Sequence, residues 1–433
     1  MFTVWTALSP LWRGKEFLRN SSYSIVRTFR SRHPGKTFPA HRAVHFIFLS
    51  AIATFVCFSA CFVSAQKKAD RVNSFSIFRP RREIVGEKFI GSAACNSCHQ
   101  EKSRSYSHSA MANALGPVEQ SKILQSHPRM TFRTGTYSYE IVNDGGEYLY
   151  RVTDGKETLS EPLLYAFGNA HVAQTYIFRR NGKLFESRLS YYTAIDGLDW
   201  TVGDALQSPP SLEEAIGRDI TGDEARNCFS CHGTGAVVRT KLQLDSLLPG
   251  VTCEACHGPG EKHSTAKLLD PEADSPIFNP RTLDPETLSQ EFCGACHRGI
   301  DTVAMMPDLG GINNVRFQPY RLFNSRGHDP KDPHFACTAC HDPHLSLSQH
   351  EPAYDANCRV CHDADRTQQK ASPGQNRNRS REKPGASLSG KKCPVANDRC
   401  VSCHMPKVGL PGAHFKFTDH RIRIARPGEP YPY

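Results

Sequence analysis

Methionine is scarce in this chain, with 6 among 433 residues, and none follows Met1 before Met111. Apolar residues make up only 39%, while Gly (31) and Pro (29) are plentiful, a balance that argues against a large side-chain core throughout. Long apolar runs are missing apart from Ala43–Val63. No disulfide framework can be argued either. Of 17 cysteines, 14 fall in one repeated pattern, Cys57 and Cys61 lie in the apolar run, and only Cys393 is left over. The formal charge of +10 is mostly a property of residues 1–65, whose eight basic residues and one acidic residue leave +3 for the remainder. That remainder does not read as a nucleic-acid binder.

What the chain has is Cys-x-x-Cys-His, seven times. The cysteine pairs are Cys95/Cys98, Cys228/Cys231, Cys253/Cys256, Cys293/Cys296, Cys337/Cys340, Cys358/Cys361 and Cys400/Cys403. The histidines that follow are His99, His232, His257, His297, His341, His362 and His404. A Cys-x-x-Cys pair alone also suits half a zinc site or a thioredoxin-like redox pair. A histidine directly after every second cysteine suits neither. Two thiols one helical turn apart can add to the vinyl groups of one porphyrin edge, and the next histidine then falls under the ring to bind iron. That is the attachment signature of c-type haem, and it predicts seven covalent haems.

The apolar run is preceded by Arg27, Arg30, Arg32, Lys36 and Arg42 and ends at Val63-Ser-Ala65 before Gln66. This pattern predicts a secretory signal cleaved after Ala65. Its length would also serve a single membrane anchor, and Ser59-Ala60-Cys61 loosely resembles a lipoprotein cleavage box. All three place the haem-bearing part in the periplasm or elsewhere outside the cytoplasm.

The mature chain divides unevenly. A first haem segment covers 66–130, and six motifs crowd into 204–433. Between them, 131–203 carries strand alternation broken by Asp144-Gly-Gly146 and Asn181-Gly182, which predicts two hairpins in a small antiparallel sheet. A structural platform is the favoured role for that insert. Helical signals precede several motifs, as in Ser211-Leu-Glu-Glu and Asp223-Glu-Ala-Arg. Residues 364–392 are polar, basic and without pattern, and read as a disordered surface loop. The fold expected is mainly α, with short helices and long loops wrapped around a haem stack, plus the β insert.

The second axial ligand of each iron separates an electron carrier from an enzyme, because two histidines leave the iron no open face. Ten histidines remain as candidates: His108, His127, His171, His263, His328, His334, His344, His350, His414 and His420. They outnumber the motifs, whereas Met111, Met130, Met305, Met306 and Met405 are few and Met405 adjoins its own His404. Bis-His ligation is therefore expected to predominate. His127 and His350 sit in polar stretches and read as surface residues.

Cys253-Glu-Ala-Cys-His-Gly-Pro-Gly-Glu-Lys-His263 resembles a haem segment common in the hydroxylamine-oxidoreductase-related multihaem cytochromes, a group that includes the tetrahaem cytochrome c-554 type and the pentahaem nitrite reductases. In such segments the later histidine ligates a neighbouring haem, which implies that role for His263. Cys95-Asn-Ser-Cys-His with Ser107-His108 is similar to the family's N-terminal haem and implies a distal role for His108. Cys337-Thr-Ala-Cys-His-Asp-Pro-His344 and the Cys400 motif with His414 and His420 are also similar. Gly168-Asn-Ala-His171 resembles a subgroup often fused to tetratricopeptide repeats, none of which is visible here. The nitrite reductases' Cys-x-x-Cys-Lys site is absent from this sequence, which lowers that reading. The distal set expected is His108, His171, His263, His328, His344, His414 and His420.

The resulting expectation is an exported heptahaem cytochrome passing electrons between unidentified redox partner proteins. One alternative is an oxidoreductase acting on a small nitrogen or sulfur compound at one five-coordinate haem. The other is a non-catalytic electron-transfer subunit of a larger respiratory complex.

Overall fold

The computed structural model describes residues 80–81, 88–203, 209–275, 277–362, 393, 395–396, 398–426 and 428–432. The expected leader over 1–65 and the basic stretch 364–392 lie outside the described residues. Among those described, no helix is long and apolar enough to cross a membrane.

The expectation of a mainly α fold is overturned by a nine-stranded antiparallel sheet, nearly closed into a barrel. Its strands are β1 (Leu115–Pro117), β2 (Arg129–Thr134), β3 (Tyr137–Asp144), β4 (Glu147–Thr153), β5 (Thr158–Phe167), β6 (Ala173–Arg180), β7 (Lys183–Tyr192), β8 (Gly197–Trp200) and β9 (Gly217–Asp219). The path runs in chain order from β2 to β8, with β1 added to β5 and β9 to β7. Both expected hairpins are present. Gly145 and Gly146 (φ 65° and 101°) join β3 to β4, and Asn181 and Gly182 (φ 50° and 76°) join β6 to β7. Two positive φ values in a row give the tight turn whose twist matches the flanking strands, and Asn-Gly or Gly-Gly adopts it readily.

Alternation supplies the interior. Tyr137, Tyr139 and Ile141 on β3 and Tyr148, Tyr150 and Val152 on β4 are buried, and their neighbours are not. Register irregularities between Leu163 and Tyr165 and between Thr175 and Ile177 bend β5 and β6. Phe132 of β2 meets Trp200 of β8 edge-on at 5.7 Å, which draws the two ends of the path together.

The outer face of the sheet is covered too. Ser211 caps Leu212–Ile216 by accepting from the Glu214 N–H, and this helix closes one side of the main core. On the other side Phe167 and Tyr165 of β5 hold Phe229 edge-on at 5.0 and 5.3 Å. Phe229 lies within the helix Asp223–His232, which carries the second motif, so the sheet is the bed of that motif. Among the described residues from Val251 to Pro432 there are only short helices and one small hairpin, Lys407–Gly409 with Lys416–Thr418.

Candidate haem cavity

All seven motifs lie on short helical turns. A turn brings both thiols of a motif to one side, as attachment to one porphyrin edge requires. The motifs also meet one another through their cysteines. Cys95 faces Cys253, Cys231 faces Cys296, Cys293 faces Cys337, and Cys358 faces Cys400, each pair close enough for one thiol to shift the other's pKa. Those contacts push the thiols of Cys231 and Cys253 down to about 6.

The cysteines of six motifs line one open, mostly apolar cavity of about 3790 Å³. A usual small-molecule pocket holds about 300–1,000 Å³, so this space suits a file of large flat groups rather than one ligand. Among the described residues, no three His, Cys, Asp or Glu side chains converge as they would on a zinc ion.

Neither cysteine of the last motif lines the cavity. Cys403 is exposed and lies outside the cavity wall, with the Ser402 hydroxyl against its sulfur at 3.9 Å. Cys98 and Cys340 are exposed as well, yet both line the cavity. The reason is local. The turn Cys400–His404 buries Val401, and two residues further along a helix the side chain points to the opposite face. Val401 and Met405 reach the cavity in its place, while Cys400, half-buried, meets Cys358.

The proximal histidines are prepared for ligation by their second nitrogen. Nδ1 of His232 donates to the Ala114 carbonyl (3.2 Å), that of His257 to Phe278 (2.9 Å), and that of His404 to Arg423 (2.9 Å). Each bond fixes the ring and leaves Nε2 with the lone pair a metal takes. His297 opens onto the cavity yet is surrounded by protein, and burial lowers its pKa, as it does for His232 and His341. Neutral imidazole is the form that ligates.

Two of the expected distal histidines have their rings beside those of motif histidines. The ring of His344 lies 6.1 Å from that of His257, nearly parallel at 13°, and that of His420 lies 6.2 Å from His341. Metal–imidazole bonds of about 2 Å put two rings on opposite faces of one iron roughly 6 Å apart, centre to centre. Nδ1 of His420 donates to Thr418, and burial lowers its pKa to about 4. Nδ1 of His344 donates to Asp342 at 3.2 Å. His263 is likewise held through Nδ1 by the Ser275 carbonyl and faces the cavity. His108 and His171 line the cavity, His171 beside Phe415.

The other two expected ligands are engaged differently. Nε2 of His414 meets Asp199 at 2.7 Å, and Nε2 of His328 meets Glu286 at 3.4 Å. The structure does not bring either opposite a motif histidine among the ring pairs described. His127 is tied to the sheet through Ile123, Asp196 and Tyr191. His350 is exposed.

Residues 206–258 match the model of the cytochrome c554 and c-prime family. The multiheme cytochrome MtrA of Shewanella baltica (strain OS185) is 24% identical over 241 residues, which are 48% of this chain and 62% of that protein. The chain therefore spans a little under two thirds of that relative's length. The crystal structure of the outer cell wall cytochrome OcwA aligns over 48% of this chain and 37% of its own at 18% identity, with a TM-score of 0.27.

The chain is a multihaem c-type cytochrome.

Sequence reasoning about this cytochrome passed over His334. Asp332 accepts from both its backbone N–H (2.9 Å) and its Nδ1 (2.6 Å), and the ring lines the cavity. Asp342 treats His344 in the same way. The signal was in the sequence, where Asp-Pro-His stands at 332–334 and again at 342–344, on either side of one motif. Arg316 was also passed over. Its Nε is buried without a hydrogen-bond partner, and burial beside Arg298 lowers its pKa. Nη2 of the same guanidinium donates to Asn313 at 3.4 Å.

Behind the ligands lies a buried ionic knot. Arg321 (1% exposed) donates two hydrogen bonds to Asp419 (0%), at 2.8 and 2.9 Å, and stacks on Tyr431 at 4.7 Å. Arg423 donates to the same carboxylate. One strand of chain, Asp419–Arg423, thus presents His420 to His341 and offers the carbonyl that holds His404.

Proposed function

We propose that the chain is an exported carrier of seven covalent haems, most of them bis-His ligated, which passes electrons between redox partners outside the cytoplasm. The observation that supports this best is the pair of imidazole separations, 6.1 Å for His257/His344 and 6.2 Å for His341/His420, across a cavity walled by cysteines of six motifs. Bound haem supplies one-electron chemistry. The chain's own residues do the rest. The cysteines would hold each porphyrin edge, Cys400 and Cys403 the last. Nδ1 anchors fix the imidazoles, and the apolar walls exclude water. A histidine on each face favours low potentials relative to Met/His sites. His108, His171, His263, His334, His344 and His420 are the distal ligands this reading favours, with His328 and His414 available once released from Glu286 and Asp199.

Intact mass and low-temperature EPR of the purified ferric protein test the reading. Seven haems with only low-spin signals are expected. A smaller haem count would overturn the count. A high-spin signal that shifts on adding nitrite or hydroxylamine would overturn the carrier in favour of an open catalytic site.

A further inference from the structure

What stands behind an imidazole at Nδ1 sorts the histidines into two kinds. Nδ1 of His232, His257, His263, His404 and His420 donates to a backbone carbonyl, which is neutral. Nδ1 of His334 and His344 donates to a carboxylate, Asp332 at 2.6 Å and Asp342 at 3.2 Å. The carboxylates that meet His127, His328 and His414 do so at Nε2, where they compete with a metal rather than support it.

The chain builds both carboxylate anchors in the same way. Asp-Pro-His occurs at 332–334 and at 342–344, on either side of the motif Cys337–His341. The proline fixes its own φ. The aspartate Oδ1 accepts from the histidine N–H two residues on, at 2.9 Å in both, as well as from its Nδ1. One oxygen thus sets both the turn and the ring. Both rings line the cavity. The two anchors are not equal. The side chain of Asp332 is 14% exposed, whereas that of Asp342 is 44% exposed and lies near enough to Lys102 for that charge to act on it.

We propose that Asp332 and Asp342 are positioning residues that lower the reduction potentials of the two haems their histidines ligate, Asp332 the more strongly. This rests on the reading that His334 and His344 are distal ligands. A carboxylate accepting from Nδ1–H makes the imidazole a stronger donor. A stronger donor and a nearby negative charge both favour ferric over ferrous iron. A backbone carbonyl brings no net charge, so the haems held by the other rings are drawn down less. No bond in the chain forms or breaks as an electron passes. The two carboxylates make these sites give it up more readily to the next one-electron acceptor.

The test is a spectroscopic redox titration of the full-length, haem-loaded protein, with haem count by intact mass and low-temperature EPR read on the same samples. Asparagine keeps the oxygen that accepts both bonds and removes the charge, so Asp332→Asn and Asp342→Asn separate the charge from the turn. One reduction potential is expected to rise in each, further in Asp332→Asn, with the haem count and low-spin signals of the parent retained. A purely structural role would leave the potentials of both variants where they were. That result, or a fall in either, would overturn the proposal. His334→Ala and His344→Ala test the reading beneath it, and each is expected to turn one low-spin haem high-spin. If every haem stays low-spin in both, the ligand assignment falls instead.

Discussion

The sheet and the motif-bearing region after it are built on opposite economies of burial. The main core of the sheet joins 19 buried residues between Val118 and Ile216, six of them tyrosines. The cluster between Leu288 and Ala336, where three motifs meet, has three. Large polar groups are buried there instead, among them Glu254, Asp355, Arg321 and Asp419, each held by hydrogen bonds. One region thus carries its own hydrophobic driving force, and the other is tied by hydrogen bonds around a space that haem is shaped to fill. The sheet is the part able to hold shape alone, and it offers Phe167 and Tyr165 as a firm seat for the second motif.

Withholding haem would break the comparison open most widely. Chain made in cells lacking the haem-attachment machinery should keep slow amide exchange in β3, β4, β6 and β7 and lose it across 254–362, because local opening follows the buried apolar contacts each region owns. Equal protection in both would mean that the polar ties suffice without haem.

Single substitutions sharpen the same contrast. Asp419→Ala leaves Arg321 buried without its carboxylate, and breaking a buried pair in this way costs about 3–5 kcal/mol. It should also disturb His420, removing one low-spin EPR component, while the sheet's exchange protection is unchanged. Leu189→Ala, fully buried on β7, should cost about 2–5 kcal/mol in thermal or denaturant unfolding. The haem count and visible spectrum of the folded protein should not change. If either substitution acted equally on both regions, the two would be one cooperative unit.

The same contrast explains what the sequence revealed. Hairpins are local, and Asp144-Gly-Gly and Asn181-Gly182 announced them because the backbone demand sits on adjacent residues. The barrel depends on β2 approaching β8, with Phe132 and Trp200 far apart in the chain, and no local pattern records that meeting. β5 hid itself further, with Pro162 inside the strand and a register shift just after it. Buried on both faces, the later part of β7 shows no alternation to read. The attachment residues were legible because covalent chemistry fixes their spacing. Spacing does not say which way a turn faces, so the outward placement of Cys403 was hidden until Val401 was seen to be the buried side. Their partners were not legible either, since Arg81 donates across 146 residues to Asn227 and across 214 to Ala295. His334 was legible in principle, through a repeated Asp-Pro-His, but its spacing from the motif did not set it apart from the other histidines.

The smallest effect falls where the two regions join. β9 pairs with β7, and its last residue, Asp219, is followed closely by the helix bearing Cys228, which starts at Asp223. Lys183 donates to Asp219 at 2.8 Å, with both side chains substantially exposed (59% and 36%). That hydrogen bond, helped by Thr221, holds the Asp219 carboxyl down at about 2, against an ordinary 3.8. A depressed carboxylate stabilises the fold above its unfolded pKa and loses that contribution as pH falls through the folded one. The window is therefore about pH 4 to 2. Lys183→Ala should cost under about 1 kcal/mol at neutral pH, since exposed pairs contribute little. In an acid titration the parent and variant should differ above this window and converge below it. Loss of sheet structure and perturbation of the His232 haem should then be compared in the same titration. If the haem signal responds and the sheet does not, Asp219 anchors the motif helix to its bed rather than the strand to its neighbour.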